Sequence, residues 1–208
     1  MKLSSIFILS SLFALSVSCS TDNANVTSND ENQVIETIMA RRSVRQYKDQ
    51  PVEREKLELI AECGINAPNG LNRQPWELRI VDNPDFINGI TAAFLESDTT
   101  QAKNPGFKNM FRNAPAVIFI ASPCDGSGQV DCGLLGENIV LAAHSLGLGS
   151  CCLGGPVRFM TSDEKAKPYL ERLGFSDDYQ LLYAIGIGYP DEAPEAKPRD
   201  ASKIKFVD

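Results

Sequence analysis

The run Arg41-Arg42-Ser43-Val44-Arg45 places three guanidiniums and a hydroxyl within five residues. Each guanidinium offers a planar fork of N–H donors and serine adds a short one, a set suited to a phosphate. The same cations at the end of a helix would counter its macrodipole, so composition alone leaves both roles open. A second cationic pair, Lys197 and Arg199, stands in a C-terminal tail with no other evident reason to be positive. The segment Ala67-Pro68-Asn69-Gly70-Leu71-Asn72-Arg73-Gln74-Pro75-Trp76 carries the side-chain amides of Asn69, Asn72 and Gln74. An amide both donates and accepts, as the edge of a flavin or a nucleobase requires. Pro68-Asn69-Gly70 is equally an ordinary turn, with Trp76 as a core anchor. At Leu153-Gly154-Gly155 the missing side chains open the backbone to a flat ring, or simply end a strand in a turn.

Other chemistries are poorly served. His144 is the only histidine and falls in an apolar helical stretch, so a Ser-His-Asp or Cys-His machine would depend on one buried imidazole; a structural role is expected for it. No Cys, His, Asp and Glu spacing matches a zinc or iron site. Gly147-Leu148-Gly149-Ser150 resembles part of a dinucleotide fingerprint but follows a helix instead of a strand, which reads better as a helix C-cap. A chain with these gaps needs a cofactor for any difficult step.

The elements that position these residues follow from periodicity. Val34, Ile35, Ile38 and Met39 recur at helical spacing and lead into Arg41. A second helix follows Pro51, with Leu57, Ile60, Ala61 and Gly64 on one face. Leu78 and Ile80 alternate as a strand, and Pro84 opens a helix carrying Phe86, Ile87, Ile90 and Phe94. The region 96–113 has weak periodicity and is expected to be a loop or short lid over an open site. The unbroken apolar run Ala116 to Ala121 predicts a strand covered on both faces. Val130 to Leu148 predicts a helix buried in the middle of the fold or of a dimer. Ser162-Asp163-Glu164 is expected to start a later helix that Gly174 ends, and Leu181 to Ile187 is the last strong strand. Pro190, Pro194 and Pro198 keep the tail extended. Because these elements do not repeat as strand-helix-strand units, the fold class expected is α+β.

Four blocks together resemble the nitroreductase family in order and spacing. They are Arg41-Arg42-Ser43-Val44-Arg45-Gln46-Tyr47, Ala67 to Trp76, Ala142-Ala143-His144-Ser145-Leu146-Gly147-Leu148-Gly149-Ser150, and Gly186-Ile187-Gly188-Tyr189-Pro190 with Lys197-Pro198-Arg199. The similarity spans about residues 33 to 199. It implies a mixed sheet surrounded by helices, assembled as a homodimer with two FMN sites, each built from both subunits. By position it implies that Arg41, Arg42, Ser43 and Arg45, with Lys197 and Arg199, hold the phosphate and ribityl end. Pro68, Asn69, Gly70, Asn72 and Gln74 would reach the flavin from the partner subunit, and Leu153, Gly154 and Gly155 would lie near its reactive edge. Asn69-Gly70 replaces two small hydroxyl residues often found after the proline, and Gly154 stands where some members carry an acid, which bears on substrate preference. The activity implied is reduction of nitroaromatics or quinones by NAD(P)H or another reductant. A dehalogenase or dehydrogenase of the same family, or a flavin-binding lipoprotein without turnover, is the alternative.

Among 208 residues, 43% are hydrophobic and 23% charged, as in a globular protein. A formal net charge of -7 argues against nucleic acid as a partner and means that an anionic ligand needs a local cation cluster. Lys2, then an apolar run from Ile6 to Val17, form an export signal too short to span a bilayer. Leu15-Ser16-Val17-Ser18-Cys19 resembles a bacterial lipobox, implying residues 1–18 as a signal peptide, lipid on Cys19 and residence in the cell envelope. Residues 19–30 are expected to be a polar tether, and 31–208 the domain that the resemblance implies binds FMN. Of the other cysteines, Cys151 and Cys152 are expected as small core filler, while Cys124 with Cys132 could close a short disulfide loop.

Overall fold

The computed structural model describes residues 32–207. The signal peptide, Cys19 and the tether to residue 30 lie outside the described residues.

The chain contributes helices α1 (Gln33–Ala40) and α2 (Arg54–Ile65), strand β1 (Glu77–Val81), helices α3 (Pro84–Ser97) and α4 (Thr99–Ala102), and strand β2 (Ala116–Pro123). There follow α5 (Gln129–Ser145), β3 (Gly149–Leu153), α6 (Gly155–Ser162), α7 (Lys167–Leu173) and β4 (Tyr179–Gly188). The strands form one antiparallel sheet in the order β1-β2-β4-β3. The parallel component is an isolated bridge between Ser43 and Ser150 along β3.

The unbroken apolar run of β2 has the predicted cause. Ala116, Ile118 and Ile120 pack into one core with Leu57 and Ile60 of α2 and Leu135 and Ile139 of α5. Val117 and Phe119 point the other way, into Ile87 and Ile90 of α3 and Val157 and Met160 of α6. Alternate residues of a strand face opposite sides, so the two interior faces require apolar residues at every position of a strand between them. The α+β architecture is therefore a sheet covered by helices on both sides.

The remaining elements have local causes. The Asn83 side chain accepts from the N–H groups of Asp85 and Phe86 and so starts α3 with Pro84 in its first turn. Gly174 ends α7 at φ +61, and α5 ends at its C-cap Leu146, followed by Gly147 in the left-handed conformation at φ +75. Part of the 96–113 region is helical: Asp98 caps α4, and the rest runs in turns.

Several expectations are corrected here. The helix expected to start at Ser162 begins at Lys167, and Ser162 instead ends α6, which the Gly154-Gly155-Pro156 sequence had disguised as a turn. Cys124 and Cys132 are both free. Cys132 is buried in α5 with its thiol directed to the carbonyls of Pro75 (3.4 Å) and Ala121 (3.7 Å), while Cys124 is exposed. Cys151 is core filler as expected, but its neighbour Cys152 points out of the sheet and is exposed.

Candidate functional site

The cation segment is laid against β3. The N–H of Val44 donates to the carbonyl of Ser150 at 2.9 Å, which pairs Ser43 with Ser150 and sends the flanking residues along the strand. Tyr47 fixes the segment's far end, its hydroxyl donating to the carbonyls of Val44 (2.7 Å) and Gly186 (3.3 Å). Burial pushes the Tyr47 hydroxyl well above its ordinary pKa, so it remains a donor. This segment is an added piece of sheet edge, and its cations have a defined register.

The guanidiniums differ in what they are free to do. Arg42 is turned back onto the end of α1, with Nη1 donating to the carbonyls of Met39 (2.6 Å) and Arg41 (2.8 Å). This is the helix-end role that composition left open. Arg41 is different: its Nε is buried with no hydrogen-bond partner, and the Glu137 carboxylate stands 3.9 Å away. A buried donor without a partner costs roughly 1–3 kcal/mol, so this atom points to a missing acceptor. Arg45 is exposed; its Nη1 donates to the Ser43 carbonyl at 3.1 Å and its backbone N–H donates to the Glu192 carboxylate, which also accepts from Gln46 at 3.3 Å.

His144 is not the buried residue expected. It is half-buried on the last turn of α5, and desolvation followed by the charges of Arg41 and Arg42 holds its imidazole below the ordinary pKa. A neutral ring beside two cations keeps the local field positive.

Beyond β3 lies a cleft of about 1180 Å³. Arg45, Leu153, Gly154 and Gly155 line it, so four of the expected site residues meet there. A Cβ at Gly154 or Gly155 would meet nothing within 4 Å, which means the backbone at this turn faces open space. Arg41, Arg42 and Ser43 lie along β3 outside this cleft, and Lys197 and Arg199 lie in the exposed tail, where Arg199 donates to the Lys197 carbonyl at 3.2 Å.

Within a single chain the amide loop also stands away from the cleft. Asn69 is spent on the loop itself, its Oδ1 accepting from the N–H of Gln74 at 2.9 Å and its Nδ2 donating to Ala67 at 3.3 Å. Leu71, Asn72 and Gln74 have left-handed backbone at φ 55, 53 and 49. That conformation costs a side-chain-bearing residue roughly 1–2 kcal/mol, and Leu71 is 85% exposed. Strain combined with an exposed apolar side chain marks a surface shaped for contact.

The other cleft walls escaped the sequence reading. Phe94 of α3, Phe107 and Phe159 of α6 line it together with Lys108, Arg112 and Arg158. They come from three separated segments, and no local pattern joins them. Among the described residues there is no His, Cys, Asp and Glu group able to hold a metal and no helix long and apolar enough to cross a membrane.

A sheet with helices on both faces, a cation arm stitched to β3 and a side-chain-free turn opening into a cleft define an α+β ligand-binding protein of one class. The nitroreductase family model matches residues 38–189, and the chain belongs to that family. A protein of Archaeoglobus fulgidus, provisionally named NADH dehydrogenase/NAD(P)H nitroreductase, is 30% identical over 167 residues, 77% of this chain and 87% of that one. The crystal structure of a nitroreductase with bound FMN from Bacteroides fragilis is similar with a TM-score of 0.74 at 28% identity, covering 86% of this chain and all of that one. Another with bound FMN, from Desulfitobacterium hafniense, gives 0.75 at 29% identity over the same shares.

Proposed function

We propose that this protein is an FMN-dependent oxidoreductase that takes reducing equivalents from NAD(P)H and delivers them to small electron-poor acceptors such as nitroaromatics and quinones. The observation that carries this reading is the register of the cation arm on β3, which sets a guanidinium whose buried Nε has no hydrogen-bond partner and a backbone turn without side chains at two places along one strand. FMN has a phosphate at one end and a flat ring at the other, and the residues present fit both. Arg41, Ser43 and Arg45 hold the phosphate and ribityl chain, joined by Arg42 through the guanidinium nitrogens other than the Nη1 spent on the end of α1, and by Lys197 and Arg199 from the tail. The turn Leu153-Gly154-Gly155 lets backbone approach the ring. When bound, FMN would supply two-electron chemistry between a nicotinamide and the acceptor, with water available as the proton source. The protein's part is to bind, to orient and to keep the field positive.

The working unit in this proposal is a homodimer. Pro68, Asn69, Gly70, Asn72 and Gln74 stand away from their own cleft, so they reach a flavin only from a second copy; the strained turn and the exposed Leu71 support that reading. The chain is further proposed to be exported and held at the membrane by lipid on Cys19.

Purified protein tests the function directly. The expected result is a flavin absorption spectrum that is bleached by NADPH and restored by a quinone, with FMN as the ligand released on denaturation. Colourless protein that takes up no added FMN would overturn the reading.

A further inference from the structure

We propose that the cleft beside Gly154 selects planar aromatic acids, holding the ring against Phe94, Phe107 and Phe159 and the oxyanion with Lys108, Arg112 and Arg158. This specifies the acceptor of the site proposed above and rests on that reading for its place in the reaction. The three rings form a continuous apolar wall: the Phe94 centroid is 5.7 Å from that of Phe107 and 5.3 Å from that of Phe159, the latter nearly edge-on at 80°. Aromatic faces of this kind take a further flat ring by stacking or edge contact.

The cations complete the site because nothing else uses them. No hydrogen bond or ion pair engages the side chains of Lys108, Arg112 or Arg158 among the described residues, and all three are exposed toward the same cleft. Three acids also line it. Asp98 is committed to the N–H groups of Thr100 and Gln101 at the start of α4, and Glu192 to the Arg45 N–H and Gln46. These bonds come from neutral donors and leave the three carboxylates charged, but four cations, Arg45 with Lys108, Arg112 and Arg158, outnumber them, so the wall favours an anion in a chain whose net charge is -7.

The backbone at Arg112 is moreover held where it is. Arg112 and Asn113 both have left-handed backbone, at φ 61 and 59. The turn is closed by the buried Asn109, whose Oδ1 accepts from the N–H groups of Phe111 (2.9 Å) and Asn113 (2.7 Å). Arg112 and Arg45 line the same cleft as Cys151. The buried amide thus fixes the backbone from which the Arg112 side chain leaves, and its guanidinium offers a carboxylate a planar fork of donors.

Calorimetry of the purified protein with benzoate and with benzamide, which share a ring and differ in charge, tests this. Benzoate is expected to bind about tenfold more tightly, the worth of one charge-assisted hydrogen bond. The double variant Arg112→Ala/Arg158→Ala should abolish that preference while leaving benzamide and FMN affinity as they were. Equal binding of the two probes overturns the proposal. So does a double variant that weakens FMN but not riboflavin, which assigns these cations to the flavin phosphate. Pyrophosphate binding through the same arginines, with benzoate no better than benzamide, assigns them to the nicotinamide donor and also overturns it. Because heat of benzoate binding is read with or without flavin, failure here is distinct from a failure to bind FMN.

Discussion

Gly149 and Val44 touch across the bridge that joins the cation arm to β3. A Cβ built on Gly149 would lie 2.8 Å from both Cβ and Cγ1 of Val44, and Val44 itself is buried. The arm reaches hydrogen-bond distance of Ser150 only because residue 149 has no side chain. Gly147, two residues earlier, has the separate task of ending α5 in a left-handed conformation.

Gly149→Ala is therefore expected to push the arm off the strand. Overpacking of this kind costs roughly 1–3 kcal/mol, and the displaced guanidiniums should weaken FMN by about tenfold while riboflavin, which lacks the phosphate, changes little. Equilibrium dialysis of both ligands against the variant checks it. Unchanged FMN affinity would mean that the arm's position on β3 is irrelevant to the phosphate.

Arg41→Ala separates a phosphate ligand from a helix-end cation. The unpartnered Nε and the distant Glu137 leave Arg41 with little structural work, unlike Arg42, which is bonded to two carbonyls. Loss of a charge-assisted hydrogen bond of roughly 1.5–3 kcal/mol should weaken FMN about ten- to hundredfold and leave riboflavin almost unaffected. A fall in melting temperature with both affinities intact would place the phosphate elsewhere.

What was legible in the sequence was chemistry carried by neighbours in the chain. The guanidiniums, the glycines at 154 and 155, and the run through β2 announce themselves because residue type alone constrains them. The aromatic wall was not legible: Phe94 reads as a core residue of α3 and Phe159 as nothing in particular, until α3 and α6 are laid on the same face of the sheet. Helix α6 itself was hidden because its first residues, Gly155 and Pro156, are turn formers that a helix tolerates only in its first turn. The reverse error at Ser162 has the same origin, since Asp163 caps a single turn, accepting from the Lys165 N–H at 2.9 Å, before α7 begins at Lys167.

Replacing Cys19 with Ala tests the proposed anchor. A lipid contributes roughly 0.8 kcal/mol per buried methylene to membrane residence, and no other anchor is proposed. The variant should move from the membrane fraction to the soluble one with its melting temperature unchanged. Persistence in the membrane fraction would refute lipidation as the means of attachment.

Glu77 should make stability depend on pH at the acid end. Burial raises its pKa, but hydrogen bonds from Ser176 (2.5 Å to Oγ) and Arg79 (2.7 Å) outweigh it and leave the carboxyl below its ordinary value. Arg79 also donates to the carbonyls of Leu173 (2.7 Å) and Gly174 (2.5 Å), so the network ties β1 to the end of α7. A carboxylate with a lowered folded pKa stabilises the fold above its unfolded pKa, and that contribution is lost as pH falls through the folded value. Glu77→Gln should cost on the order of 1 kcal/mol at neutral pH and progressively less as pH falls below the ordinary carboxylate range. Melting temperatures of the two proteins compared across acid pH should converge; a constant gap would show that shape, not charge, is what Gln fails to replace.

Gly136 and Tyr183 give the sharpest test of how α5 seats on the sheet. The Tyr183 hydroxyl donates to the Cys132 carbonyl at 2.5 Å, and a Cβ on Gly136 would lie 2.0 Å from that oxygen and 3.0 Å from Cζ. Glycine inside a helix is disfavoured by about 1 kcal/mol relative to alanine, so Gly136→Ala would stabilise an isolated helix. Here the clash must prevail: the ring or the helix has to move, at roughly 1–3 kcal/mol, and the hydrogen bond is lost as well. Tyr183→Phe alone should cost about 1 kcal/mol, the usual worth of such a bond. In the double variant the clashing oxygen is gone and the remaining ring carbon sits at the edge of tolerance, so its loss should fall short of the sum of the single losses by about 1 kcal/mol. For a chain of this length each kcal/mol moves the melting temperature by about 2–4 °C, which places the shortfall within reach of thermal melts on all four proteins. Simple additivity would mean that residue 136 is glycine for a reason other than the hydroxyl lying over it.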